Sequence, residues 1–366
     1  MPKLVSGIVL GAVVIILLGT FLVPAISPKS SEKDWTYDDY RPVSDYGTAE
    51  VGGAFEVVSI SGTDYIHAKT TGPGTIGSKT YDVDKADLDL ILIWGQSNAS
   101  YRNAVVSEAI NPGLNAGYYF GQDDQLGSAA GEGEIDPDTC DFYTLVDDDG
   151  ALRIGDMGPA LAKAYHEKTG HKAYLVNAAI GNKWILLFIP HEQMWTYCDN
   201  TVSAAINAVD LSKFDLHIVG YVWAQGEANA SNSVTDYKTW FMMSYNSMAS
   251  GILSGHVFDK VFIIETKPED GGNATIAQRE LVAEYDGVYM GSTAPESFTV
   301  ENGLMGSDGL HYSQLGKNII GTQVGGVIGN TVSPPTTDYS PLLYAIPVVI
   351  LAALLIAVYG LISRRD

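Results

Sequence analysis

Residues 88–98 read LDLILIWGQSN. The run from Leu88 to Trp94 is almost wholly apolar and ends in Gly95. It is too short for a buried helix, so it reads as a strand covered on both faces. Such strands belong to parallel sheets, and the rest of the chain has the alternation that a parallel sheet needs. Residues 159–169 (PALAKAYHEKT) form an amphipathic helix closed by Gly170, and 173–177 form a second strand. Helices follow at 201–209, 234–253 and 313–327, with strands between them at 216–223 and 261–265. The expectation is a three-layer α/β domain over residues 87–330 with a flavodoxin-like parallel sheet. Right-handed crossovers place the loops after the strands along one edge, where open α/β sheets keep their ligands.

Upstream, residues 54–69 alternate apolar and polar side chains around Gly62-Thr63, which predicts a short antiparallel hairpin. Gly72-Pro73-Gly74 reads as a turn, and 27–46, rich in Ser, Asp, Pro and Lys, as a linker, so 27–86 is a linker with a small β-rich segment. The ends differ in kind. Residues 4–26 and 342–362 carry no charge, and each is long enough, at about 1.5 Å per residue, to cross roughly 30 Å of hydrocarbon. Both read as transmembrane helices (1–26 and 342–363, with 331–341 as a linker), although Val23-Pro24-Ala25 also suits a signal-peptide cleavage site. Lys3 before the first span and Arg364-Arg365 after the second place both termini in the cytoplasm and the domain between them outside it.

The 366 residues carry 21 Lys and Arg against 43 Asp and Glu, a formal net charge of −22, with no dense basic run. Phosphate backbones require the opposite balance, so nucleic acid is excluded as a partner. A 10% aromatic share and 39 glycines without a period exclude a disordered tail, a collagen repeat and a coiled coil. Cys140 and Cys198 fit either one disulfide or two separate thiols, and no Cys/His cluster supports a zinc site. No metal or cofactor is expected.

Chemistry collects after the strands. The first strand ends in Gln96-Ser97-Asn98, which puts a serine hydroxyl on a tight turn at the sheet edge. The stretch YLVNAAIGNKW delivers Gly181, and the next strand delivers Gln225-Gly226-Glu227. Asp308-Gly309-Leu310-His311 stands just before the last helix. A serine nucleophile needs an imidazole to take its proton, a carboxylate to orient that imidazole, and donors around the oxyanion. Ser97, His311, Asp308, Gly181 and Gln225 supply each role once.

GQSN after a strand, WxQGE after another, and DGLH followed by LG in a C-terminal helix together resemble the SGNH hydrolases and, within them, the sialate O-acetylesterase-like carbohydrate esterases. The resemblance spans about residues 87–327. It implies the SGNH hydrolase fold and a serine esterase acting on acylated carbohydrate. Ser97 would be the nucleophile, His311 the base and Asp308 its orienter. The Ser97 and Gly181 amides and the Gln225 side chain would form the oxyanion hole, with Gln96, Asn98, Gly226 and Glu227 supporting. Asn182-Lys183 departs from the family's usual glycine and Ser or Thr, and Asn229 is a further departure.

Other readings stand beside these. Gln225 is alternatively a core amide, and Trp94, Trp184 and Trp223 are either core or sugar-stacking. Asp147-Asp148-Asp149-Gly150, with Asp156, is a DG-type turn or a calcium loop. His67, His166, His171, His191, His217 and His256 show no ligand spacing. Residues 111–156 read as an insertion over the site. Of the sequons at Asn98, Asn229 and Asn273, only Asn273 reads as accessible. The competing function is a non-catalytic glycan-binding surface protein, or a subunit of a membrane complex, built on the same scaffold.

Overall fold

The computed structural model describes residues 35–122 and 135–332, which fall into two compact units divided after Lys85. The two apolar termini lie outside the described residues. Among the described residues no helix is long and apolar enough to cross a membrane.

The first unit is all β. Strands β1 (Trp35–Thr36), β2 (Tyr40–Pro42), β3 (Val51–Gly53), β4 (Phe55–Ile60), β5 (Thr63–Ala68), β6 (Gly72–Ile76) and β7 (Lys79–Asp84) make two small sheets, ordered β1-β7-β6-β3 and β2-β5-β4. The expected hairpin is β4–β5, paired from Phe55 with Ala68 to Ile60 with Thr63. Its two-residue turn, Ser61-Gly62, has φ of 49° and 79°, the twist that suits tight hairpins. Two expectations fail here. Gly72-Pro73-Gly74 is the start of a strand, not a turn, because β6 is paired on both sides by β3 and β7. The part of the expected 27–46 linker that is described, from Trp35 on, is folded: Trp35 is buried against Phe55, Ile66, Ile76 and Val83 and draws the chain into this unit.

The second unit is the α/β domain. Its strands are β8 (Ala86–Gly95), β9 (Gly117–Gly121), β10 (Asp141–Thr144), β11 (Lys172–Asn177), β12 (Phe214–Ala224), β13 (Val261–Ile264) and β14 (Val288–Ser292), in the order β10-β9-β11-β8-β12-β13-β14. All pairs are parallel except β10 on β9 at the edge. The helices are α1 (Gly158–Thr169), α2 (Gln193–Asn207), α3 (Val234–Ala249), α4 (Pro268–Gly271), α5 (Asn273–Glu284) and α6 (Gln314–Val332). α1 packs along α6, and α3 packs on α5. β8 is buried nearly throughout, so layers cover both faces of the sheet. Chain order reverses about β8, whose neighbours are β11 and β12, and that switch point is where an open α/β sheet forms its crevice.

Residues 111–156 are not simply an insertion. They contribute β9 and β10 to the sheet, and the five residues of β9 are all buried. The run Asp147–Gly150 is a turn: the Asp147 carboxylate accepts from the Asp149 and Ala151 amides at 3.0 and 2.8 Å. Cys140 and Cys198 are both free, so the disulfide alternative is discarded. Trp94 and Trp223 are core, with ring centroids 5.4 Å apart, whereas Trp184 is 59% exposed.

Close packing of α6 on α1 depends on small residues. A Cβ at Gly321 would lie 2.2 Å from the Met157 carbonyl oxygen. Gly321→Ala is therefore expected to destabilise the domain by about 1–3 kcal/mol, although alanine favours a helix by about 1 kcal/mol. A urea midpoint equal to or above the native one would refute this.

Candidate active site

β8 and β12 pinch together where they end. A Cβ at Gly95 would lie 2.1 Å from the Ala224 carbonyl oxygen, so the close approach needs glycine there. That carbonyl accepts the Gln96 amide at 2.9 Å, and the chain then turns, with the Ala99 and Ser100 amides both donating to the Gln96 carbonyl. Ser97 is thereby lifted onto the rim of the sheet.

The histidine arrives from the other end of the domain. The loop before α6 is closed by an isolated bridge between Met305 and Tyr312. His311 Nε2 lies 2.9 Å from Ser97 Oγ, and His311 Nδ1 lies 2.7 Å from Asp308 Oδ2. The other Asp308 oxygen accepts the Leu310 and His311 amides, both at 3.0 Å. Burial opposes ionisation of Asp308, but these backbone donors and the imidazole outweigh it and lower its pKa to about 2. The carboxylate is thus charged at all working pH values and holds the imidazole with its proton on Nδ1, leaving the Nε2 lone pair toward the serine.

Glu227 and Asn98 fasten the two halves. Glu227 accepts from the Gln96 side-chain amide and, at 2.6 Å, from Asn98 Nδ2. Asn98 Oδ1 accepts the Tyr312 amide at 3.0 Å, which ties the serine turn to the histidine loop. Burial raises the Glu227 pKa and the Asn98 donor opposes that shift. Gly226 packs on Thr266, whose Oγ1 would lie 2.3 Å from an added Cβ.

The Ser97 and Gly181 amides donate no hydrogen bond among the described residues. Gln225 is placed differently from the expectation. It is fully buried, and its Nε2 is taken by the Lys183 carbonyl at 3.1 Å and by Asn229 Oδ1. The amide is a brace beneath the site, because the β12 turn carries it inward rather than into the cleft. Asn229 and Asn98 are buried, and Asn273 also uses its side-chain amide, on the Asn232 carbonyl at 2.9 Å.

Under the Ser97 turn lies a buried polar group of side chains that no sequence motif announces. Lys317, fully buried on α6, donates from Nζ to the Ser100 carbonyl at 2.5 Å. Asn177 at the end of β11 donates to the Ala99 carbonyl at 2.9 Å and to Asp156 Oδ2 at 3.2 Å. Gln314 clasps the Asp156 backbone, accepting its amide at 2.9 Å and donating to its carbonyl at 2.7 Å. Burial raises the Asp156 pKa to about 6 against the pull of Lys317, and burial lowers that of Lys317 to about 8 against the pull of Asp156. The only sequence signal was a lysine on the glycine-lined, inward face of a helix.

Lys317→Met strands the Asp156 carboxylate and is expected to cost about 3–5 kcal/mol. Asp156 already binds its proton more tightly folded than unfolded, so its contribution to stability falls as pH rises from about 4 through 6. Without Lys317 that fall steepens, so the deficit measured by urea unfolding should be larger at pH 8 than at pH 5. A deficit independent of pH would refute the coupling.

The triad opens into a cleft of about 540 Å³ lined by Gln96, Ser97, Arg102, Asn182, Glu227, Ala228, Glu269, Asp270, Leu310 and His311. Among the described residues none of 111–156 lines it. No group of His, Cys, Asp and Glu among the described residues is arranged to hold a metal ion.

No family model and no curated protein matches this sequence. Solved structures do. A protein from Arabidopsis thaliana aligns at 14% identity and TM-score 0.47, over 66% of this chain and 97% of its own. NanS aligns at 11% and 0.47, over 68% and 99%. A carbohydrate acetylesterase from Xanthomonas citri aligns at 14% and 0.42, over 81% and 72%.

Proposed function

We propose that this protein is a serine esterase of SGNH type that removes acetyl or other short acyl groups from a carbohydrate. One observation carries it: Ser97 Oγ, His311 and Asp308 stand in a hydrogen-bonded line at 2.9 and 2.7 Å, under an open cleft at the switch point of the sheet. His311 takes the serine proton as Oγ attacks the ester carbonyl. The Ser97 and Gly181 amides receive the oxyanion, and His311 returns the proton to the departing alcohol. Water then repeats the sequence on the acyl-serine. Glu227, held between two amide donors, anchors the turn rather than moving a proton. The apolar, uncharged 4–26 and 342–362 support two membrane anchors, and Lys3, Arg364 and Arg365 support cytoplasmic termini with the catalytic domain on the outer side.

The test is p-nitrophenyl acetate hydrolysis followed from the first turnover, with acid-quenched protein mapped by mass spectrometry. The expected result is a nitrophenolate burst and an acetyl group on Ser97. Turnover without any acyl-protein, or acylation at another residue only, would overturn the reading.

A further inference from the structure

The serine turn is held by its carbonyls. The Gln96 carbonyl takes the Ala99 and Ser100 amides, and the Ser97 carbonyl takes the Ser100 hydroxyl at 2.9 Å. Asn177 Nδ2 holds the Ala99 carbonyl at 2.9 Å, and Lys317 Nζ holds that of Ser100 at 2.5 Å. The last of these is more than the carbonyl needs. A water or an amide would satisfy it, whereas burying an ammonium is costly. Burial lowers the Lys317 pKa to about 8 against the pull of Asp156, so the charge is still carried at pH 7, and a charged donor grips its acceptor harder than a neutral one. Lys317 also stands where such a grip matters. It lies in the first turn of α6, with its own amide on the Ser313 carbonyl at 2.9 Å, just after the histidine loop. Besides the Ser97–His311 bond itself, two side chains among the described residues tie the serine turn to this segment. Asn98 donates to the Leu310 carbonyl at 3.3 Å and accepts the Tyr312 amide at 3.0 Å, and Lys317 reaches Ser100. One tie is a hinge, and two fix the angle at which the serine meets the imidazole.

Resting on the esterase reading above, we propose that Lys317 is a positioning residue for catalysis: by fastening the Ser100 carbonyl to α6 it holds Ser97 Oγ in line with His311 Nε2. It touches no reacting atom and moves no proton. Without it Asn98 is the one side-chain tie left among the described residues, and a misplacement of about 1 Å at a reacting atom costs on the order of 10²-fold in rate. Lys317 does not line the cleft, so ester binding should persist when it is replaced.

The experiment separates this role from stability. Lys317→Met leaves the Asp156 charge stranded, and Lys317→Met with Asp156→Asn carries neither charge. The double variant should therefore have the higher urea midpoint of the two at pH 8, although asparagine keeps only one of the contacts that Asp156 makes with the Gly158 amide and Asn177. Both are mixed with p-nitrophenyl acetate in sucrose, which favours the folded state, and the nitrophenolate burst is followed. Its first-order constant does not depend on how many molecules are folded, which the amplitude reports, so a partly unfolded variant still answers. In both variants the burst constant should fall about 10–100-fold while the half-saturating ester concentration stays within about threefold. Stability then returns in the double variant and rate does not. A burst constant that recovers together with the urea midpoint, or one within about twofold of native in either variant, overturns the proposal. Failure of the esterase reading itself looks different, because the unaltered protein would then give no burst at all.

Discussion

Ser97→Ala should lower kcat for p-nitrophenyl acetate by at least about 10³-fold, and by as much as about 10⁶-fold if the residues act as one unit. Among the described residues the serine is the one hydroxyl that hydrogen-bonds His311 Nε2, at 2.9 Å, and its loss removes the atom that would carry the acyl group. Alanine fits the same turn, whose shape is set by the Gln96 and Ala224 carbonyls and by Asn98 rather than by Oγ. Folding should therefore be unaffected and the lost rate attributable to chemistry. The residual rate would come from the Ser97 and Gly181 amides and from binding, which alone can exceed water. A folded variant that retains a tenth of the activity would end the case for an acyl-enzyme on Ser97.

Asp308→Asn should cost nearly as much, about 10⁴-fold in kcat, for a reason that lies in one proton. The asparagine can still accept the Leu310 and His311 amides through its carbonyl oxygen, so the loop keeps its form. What then faces His311 Nδ1 is an NH₂ group, a donor where the ring needs an acceptor. The imidazole answers by moving its proton to Nε2, which points a hydrogen at Ser97 and removes the base. The wild-type carboxylate avoids this at any pH above about 4, since its own pKa is near 2. Its contribution to folding has the corresponding sign: present above the ordinary carboxylate value and lost as pH falls toward 2. A histidine proton resonance in the variant showing the exchanged tautomer would confirm the cause. A kcat within tenfold of native would refute it.

The central strands were legible because they are nearly continuous apolar runs, as the LDLILIW of β8 shows. β9 was not, since GYYFG has neither alternation nor aliphatic length, and its one cue was aromatic content between glycines. β14, VYMGS, is only partly buried and carries still less pattern. In the site, the serine turn and the Asp-Gly-Leu-His loop could be read because each is local in sequence. Gln225 could not: motif and spacing place an amide near the serine, and only the path of the β12 turn decides that it points inward, onto Lys183 and Asn229. Lys317 was invisible for the same reason, its partner being the Ser100 carbonyl 217 positions away; Asp156, read only beside a turn, is held by the Asn177 and Gln314 side chains, which no local spacing announces.

Ser97 and His311 are 214 positions apart, one at the end of the first strand of the α/β domain and the other just ahead of α6. On a ribosome making about 5–20 residues per second, that interval is about 10–40 s, during which a nascent chain holds its serine with nothing to activate it. On the proposed mechanism the protein stays hydrolytically silent until α6 has emerged and docked, so the appearance of turnover during refolding would time a late step of assembly rather than the first.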